Sequence, residues 1–152
     1  MNSCGAARSS SREPGRLSST EIRTVRRRGR TRRARLLRLY ALRTTRGQTR
    51  LALTVSGRLG KAVVRNRLRR RLRELVRLTL PAVPDGWDLL LIAHREATTA
   101  SFWDLQADIH RLWRRAGIAS ERPPLGPQGL RSLQERAAQW YARRSQQAPE
   151  SR

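Results

Sequence analysis

GKAVVRNRLRRRLREL, residues 60–75, is the stretch on which the fold turns. Seven of its sixteen residues are Lys or Arg, and the acid within it is Glu74. Like charges at helical spacing repel one another, so this concentration calls for a physical reason. Wound as a helix over 64–79, the segment gathers Val64, Leu68, Leu72, Leu75, Val76 and Thr79 on one arc. Asn66, Arg67, Arg69, Arg70, Arg73 and Arg77 fall on the opposite side, while Arg65 and Arg71 flank the seam and snorkel outward. The apolar seam docks the helix, and the arginines are held facing solvent. Phosphates would reverse the sign of their repulsion, releasing counterions as they bind. Asn66 is a poor interior helix residue. It offers a donor and an acceptor suited to sugar hydroxyls or base edges, or else it caps the first turn.

Outward from this helix, RLALTVS (50–56) alternates apolar and small polar residues, and LLRLYAL (36–42) is rich in Leu and Tyr. With the turn cluster RTTRGQT (43–49) between them, the two strands read as a hairpin. GRLGK (57–61) breaks the second strand before the basic helix, and Pro81 and Pro84 end that helix near Leu80. DLLLIA (88–93) is a continuous apolar run suited to a strand buried on both faces. Ser101 with Asp104 caps a helix carrying Phe102, Leu105, Ile109, Leu112 and Ala116, closed by Gly117. Upstream, Ser18 and Glu21 have capping-box spacing for a short helix reaching about Arg28, with Gly29 placed to end it.

The order α-β-β-α-β-α predicts an α/β (α+β) two-layer sandwich over 16–118 with flexible tails. Residues 1–15 read as a disordered basic arm rather than a transit peptide, having no clear apolar face. Residues 119–152 open with the Pro/Gly-rich linker ERPPLGPQG. Within them, 129–147 places Leu130, Leu133, Ala137 and Trp140 on one face of an extra helix.

The formal net charge is +23, from 34 basic and 11 acidic residues. Twenty-one of the basic residues lie between Arg23 and Arg77 with Glu74 as the single acid, so codon bias alone does not explain the distribution. A compact body so charged needs an anionic partner, with nucleic acid first and an anionic membrane surface second. No apolar run reaches the roughly 18 residues of a membrane span. Cys4 is the sole cysteine, which excludes an intrachain disulfide framework and a cysteine-based metal site.

TVSGRLGKAVVRNRLRRRLREL resembles the signature region of the bacterial ribonuclease P protein subunit. Ser56, Gly60, Ala62, Val63, Arg65, Asn66, Arg70 and Arg73 match that family's S-x-x-x-G-x-A-V-x-R-N-x-x-x-R-x-x-R run. The resemblance extends over about 16–117, through Leu17 and Glu21, Gly29, Leu39-Tyr40 and Asp88. It implies a sandwich with a left-handed βαβ crossover, in a bacterial cytoplasmic protein that binds a large catalytic RNA. That pair removes the 5′ leader of precursor tRNA, with catalytic groups and Mg²⁺ on the RNA, none on the protein, and no membrane partner. Arg65, Asn66, Arg67, Arg69, Arg70 and Arg73 would face the catalytic RNA. Arg26, Tyr40, Arg58 and Lys61 would contact the leader or its phosphates, in a cleft between the first helix and the sheet. The family's two helix phenylalanines align with Ile22 and Arg26, and a sheet phenylalanine with Leu37. Gly57-Arg58 stands in place of a frequent Lys-Lys, and His94 in place of an Arg. Rival readings are a ribosomal or general RNA-binding protein, and a DNA-binding architectural protein.

Other groupings carry less. His94 and His110 have no evident third ligand or orienting partner. Asp85, Asp88, Asp104 and Asp108 could compose a nuclease metal site. Three of them also have a structural reading: Asp104 as a helix cap, Asp88 at a strand edge, Asp108 on the surface. Trp103 and Trp113 read as packing residues, Trp87 as a cap on the sheet, and Trp140 and Tyr141 either pack the extension or contact RNA.

Overall fold

The computed structural model describes residues 16–119 and 127–147. The arm over 1–15 with Cys4, most of the Pro/Gly linker and the last five residues lie outside them. Helix α1 (Ser19–Arg28) begins at the expected capping box: Ser18 Oγ accepts from the Glu21 amide, and Glu21 Oε2 accepts from the Ser18 amide at 2.7 Å. Arg26, Arg27 and Arg28 sit in its last turn, where cations suit the helix dipole. Gly29 then takes the chain straight into β1 (Arg30–Arg33). A Cβ at Gly29 would stand 2.4 Å from the Val25 carbonyl oxygen, so no larger residue fits this junction.

Strands β2 (Leu37–Arg43), β3 (Arg50–Thr54) and β4 (Trp87–Ala93) complete a four-stranded sheet of order β1-β2-β4-β3. The expected hairpin between 36–42 and 50–56 is therefore absent. β4 lies between the two strands, antiparallel to β2 with Leu39 opposite Leu91, and parallel to β3 with Leu51 opposite Leu89. Alternation marks a half-buried strand but does not name its neighbour, whereas a run apolar on both faces belongs in the sheet interior. The parallel β3–β4 pair needs a crossover, which α2 (Ala62–Thr79) supplies. β1 adds a strand that the order α-β-β-α-β-α lacks. Its sequence RTRR has no apolar residue, and pairing with β2 at the sheet edge is what makes it a strand.

One sheet face carries Leu37, Leu39, Ala41, Leu89, Leu91 and Ala93. Against it pack Leu68, Leu72, Leu75 and Val76 of α2 and Leu105, Ile109, Leu112 and Trp113 of α3 (Phe102–Arg115). α3 starts at the predicted Ser101–Asp104 capping box, and Gly117 follows it at φ 70°. The other face packs Leu90 against Val25 and Leu17, flanked by Ile22, Tyr40, Leu42, Ala52 and Ile92. α4 (Pro127–Gln147) lays Leu133 and Ala137 on Leu78 of α2. Leu78 falls outside the predicted seam and is buried because α4 covers it. Tyr141 packs beside this contact and donates its hydroxyl to the Arg77 carbonyl at 3.1 Å.

Several single residues depart from expectation. Asp108 is buried, not on the surface: it accepts from the Leu36 amide at 2.7 Å and from Arg111 at 3.0 Å. Asp88 is buried on interior strand β4, not at an edge. Trp113 packs as expected, but Trp103 is exposed and touches Phe102 edge-on. Val64, at the start of the predicted seam, is exposed as well.

Candidate nucleic-acid interface

Helix α2 is fixed by its seam and by short polar ties at its rims. Arg65 donates Nε to the Gly60 carbonyl at 3.2 Å, and Arg71 donates Nη1 to the Ala100 carbonyl at 3.3 Å. Arg69 donates to Asn66 Oδ1 at 3.1 Å. Asn66 is thus exposed on the helix and does not cap it, since the N-cap is Lys61 with no side-chain cap bond. Arg67, Arg70 and Arg73 are exposed, and among the described residues no carboxylate pairs with them. Glu74 turns to Arg77 at 2.8 Å, and that hydrogen-bonded guanidinium holds its carboxyl below the usual range. The first turn has no acidic residue, so the positive end of the helix dipole adds to the same field. The outer face is a rigid row of cations whose charge the protein leaves unbalanced.

The four remaining candidates divide. Arg26 is exposed in the last turn of α1, and Tyr40 is half-buried on the sheet face that α1 packs against. Arg58 lies in the turn Gly57–Leu59, where Ser56 Oγ accepts from its amide, and Lys61 sits at the N-cap of α2. These two lie at the start of α2; among the described residues no hydrogen bond or ion pair joins them to Arg26 or Tyr40. Of the positions aligned with family aromatics, Ile22 borders the α1-side cluster. Leu37 is fully buried in the opposite core, away from any ligand on the α1 side.

Sequence reasoning missed a buried ion network. Arg50 donates Nε and Nη2 to the two oxygens of Asp88 at 3.0 and 2.8 Å, and Nη1 to Glu21 at 2.9 Å. Arg46 reaches Glu21 as well, at 3.1 Å. Hydrogen bonds from the Ser18 amide and from Arg50 lower the Glu21 carboxyl to about 2. Strand registration of Arg50 opposite Asp88 was the signal, and it depended on pairing β3 with β4.

The two histidines do not meet a common ligand. His94 lies 3.4 Å from the Arg35 carbonyl, and burial lowers His110 to about 4. Among the described residues no three of His, Cys, Asp or Glu are grouped to hold a metal ion. Asp85 pairs with Arg144, and Asp104 serves its cap. No described helix is long and apolar enough to cross a membrane.

A small α+β unit whose sheet anchors a helix with an uncompensated arginine face defines the class: basic proteins built around a fixed cationic helix. The family model for Ribonuclease P matches residues 16–117, and the chain belongs to that family. The chain is 48% identical over 95 residues to the ribonuclease P protein component of Roseiflexus castenholzii, covering 62% of this chain and 78% of the relative. It is 44% identical over 116 residues to that of Chloroflexus aggregans, covering 74% and 86%. The fold is similar to that of the Staphylococcus aureus RNase P protein, with TM-score 0.63 at 21% identity over 69% of this chain and 97% of that one. It is likewise similar to the Thermotoga maritima RNase P protein, with TM-score 0.61 at 23% identity over 66% and 96%.

Proposed function

We propose that this protein is the RNA-binding subunit of ribonuclease P, which assists a catalytic RNA in removing the 5′ leader from precursor tRNA. The observation that carries the reading is the outer face of α2, where Arg67, Arg70 and Arg73 are exposed with no carboxylate partner among the described residues. Together with Arg65, Asn66 and Arg69 they would lie along the catalytic RNA, replacing its counterions. Arg26 and Tyr40 on the α1 side would meet the leader, with Arg58 and Lys61 contacting phosphates near the start of α2. Phosphodiester hydrolysis is assigned to the partner RNA and the Mg²⁺ it binds, with the protein holding no catalytic group. Its part is to screen repulsion between two polyanions and to hold the substrate.

Reconstitution tests this. Added to the ribonuclease P RNA of the same cell at low Mg²⁺, the protein should accelerate leader removal from precursor tRNA. No acceleration, with binding to ribosomal RNA fragments of equal strength, would favour a ribosomal protein. Equal competition by duplex DNA at physiological salt would favour an architectural DNA-binding protein.

A further inference from the structure

Eight arginines stand in residues 26–38, between the end of α1 and the start of β2, and the functions assigned so far use only Arg26. The sheet register sorts their side chains. Arg33, Arg38, Ile92 and Thr54 are successive partners across all four strands. Since Ile92 and Tyr40 belong to the α1-side cluster, this row lies on the face that α1 packs against. The helix sits toward the other end of the sheet, tied there by Glu21 to Arg50 and by Gly29 against Ala41. From Ala41 to Arg38 is about 10 Å along the strand.

Two features of the row are unusual. Arg33 and Arg38 stand directly opposite each other on paired strands, where like charges destabilise a sheet, and neither pairs with a carboxylate among the described residues. In addition, Arg38 Nε is shielded from solvent and has no acceptor. Charges that blunt an edge strand against aggregation would account for Arg33 on β1. They do not account for Arg38, because β2 is interior.

We infer that Arg33 and Arg38 form a clamp for a phosphodiester of single-stranded RNA. A phosphate between them would accept charge-assisted hydrogen bonds from both guanidinium groups and relieve their repulsion. Tyr40 stands on the same face one row further along, with half-buried Ala52 and Ile92 beside it. A strand gripped by its backbone there would lay an unstacked base on the ring and this apolar floor. The inference rests on the RNA-binding reading and deepens it. The cleft holds the leader chiefly by its phosphates, with little preference among bases.

The test is binding of a fluorescein-labelled oligouridylate to the full chain, followed by anisotropy across a salt series. Arg33→Gln with Arg38→Gln should weaken binding and reduce the salt slope by about 1.4, at about 0.7 for each single-strand phosphate that is no longer neutralised. Arg38→Lys should keep the slope while lowering affinity, because it keeps the charge and lacks the forked guanidinium donors. The thermal midpoint of the double variant should equal or exceed that of the parent, and a lower midpoint would make the pair structural and overturn the clamp. Unchanged slope and affinity would overturn it as well. So would weaker binding of the catalytic RNA in place of the oligonucleotide, an outcome that leaves the wider reading standing. That wider reading fails separately, if the parent protein does not accelerate leader removal.

Discussion

Arg50 and Arg70 are the same residue in two opposite situations. Arg50 is buried, and each of its nitrogens is met by an oxygen of Asp88 or Glu21. Arg70 stands on the outer face of α2 among other arginines, with no carboxylate paired to it among the described residues. Six of the eight acids among the described residues are committed to structure: Glu21 and Asp88 to Arg50, Asp104 to a cap, Asp108 to the Leu36 amide, Asp85 to Arg144 and Glu74 to Arg77. The outer arginines stay unbalanced because Glu74, the acid on their own helix, is turned to Arg77. The buried Arg50 is matched by the protein's own carboxylates; the arginines on the outer face of α2 are not.

That contrast can be broken from the inside first. Asp88→Ala leaves the Arg50 guanidinium buried with half its partners gone, and the loss should be about 3–5 kcal/mol, measured by urea unfolding. Leu133→Ala opens the seam between α4 and Leu78 and should cost roughly 2–4 kcal/mol. Its mark would be faster amide exchange in α4, with β2 and β4 still protected. Ser18→Ala removes one half of the α1 cap and should cost about 1 kcal/mol, read as a lower unfolding midpoint.

Two pH limbs sharpen the same comparison. The Glu21 carboxyl, at about 2 in the folded chain against 4.5 ordinarily, contributes stability that is complete above about 4.5 and disappears as pH falls toward 2. His110 works through burial. Its folded value of about 4 lies below the ordinary 6.5, so the unfolded chain takes up the proton first. Stability should therefore decline as pH falls from 6.5 to 4, and His110→Leu should flatten that limb in a pH series of unfolding curves. The arginine face should show no such limb. Arg70→Ala with Arg73→Ala should shift stability by less than about 0.5 kcal/mol.

The parts of this architecture written in local pattern were legible from sequence. The two capping boxes, the α2 seam from Leu68 to Val76, the doubly buried run at 88–93 and the α3 periodicity each depend on neighbours a few residues apart. What depends on long-range pairing was not. Strand β1 is four polar residues that become a strand by pairing with β2, and without it the Arg33–Arg38 opposition does not exist. The place of β4 between β2 and β3 determines that Asp88 is interior and meets Arg50. Leu78 looked like an off-seam residue because its cover, α4, arrives from more than fifty positions away. On the interface, the wheel placed Arg67, Arg70 and Arg73 outward, as observed, whereas the ties of Arg65 to Gly60 and Arg69 to Asn66 needed side-chain geometry.

The central claim is that the outer face of α2 is an RNA surface that folding does not need. Its most direct test is the salt dependence of binding to the catalytic RNA for the parent and for the triple variant Arg67→Ala, Arg70→Ala, Arg73→Ala, with unfolding followed in parallel. The account predicts a slope smaller by about 2.7, at roughly 0.9 for each duplex phosphate neutralised, and an unchanged unfolding curve. An unchanged slope, or a variant that no longer folds, would contradict it.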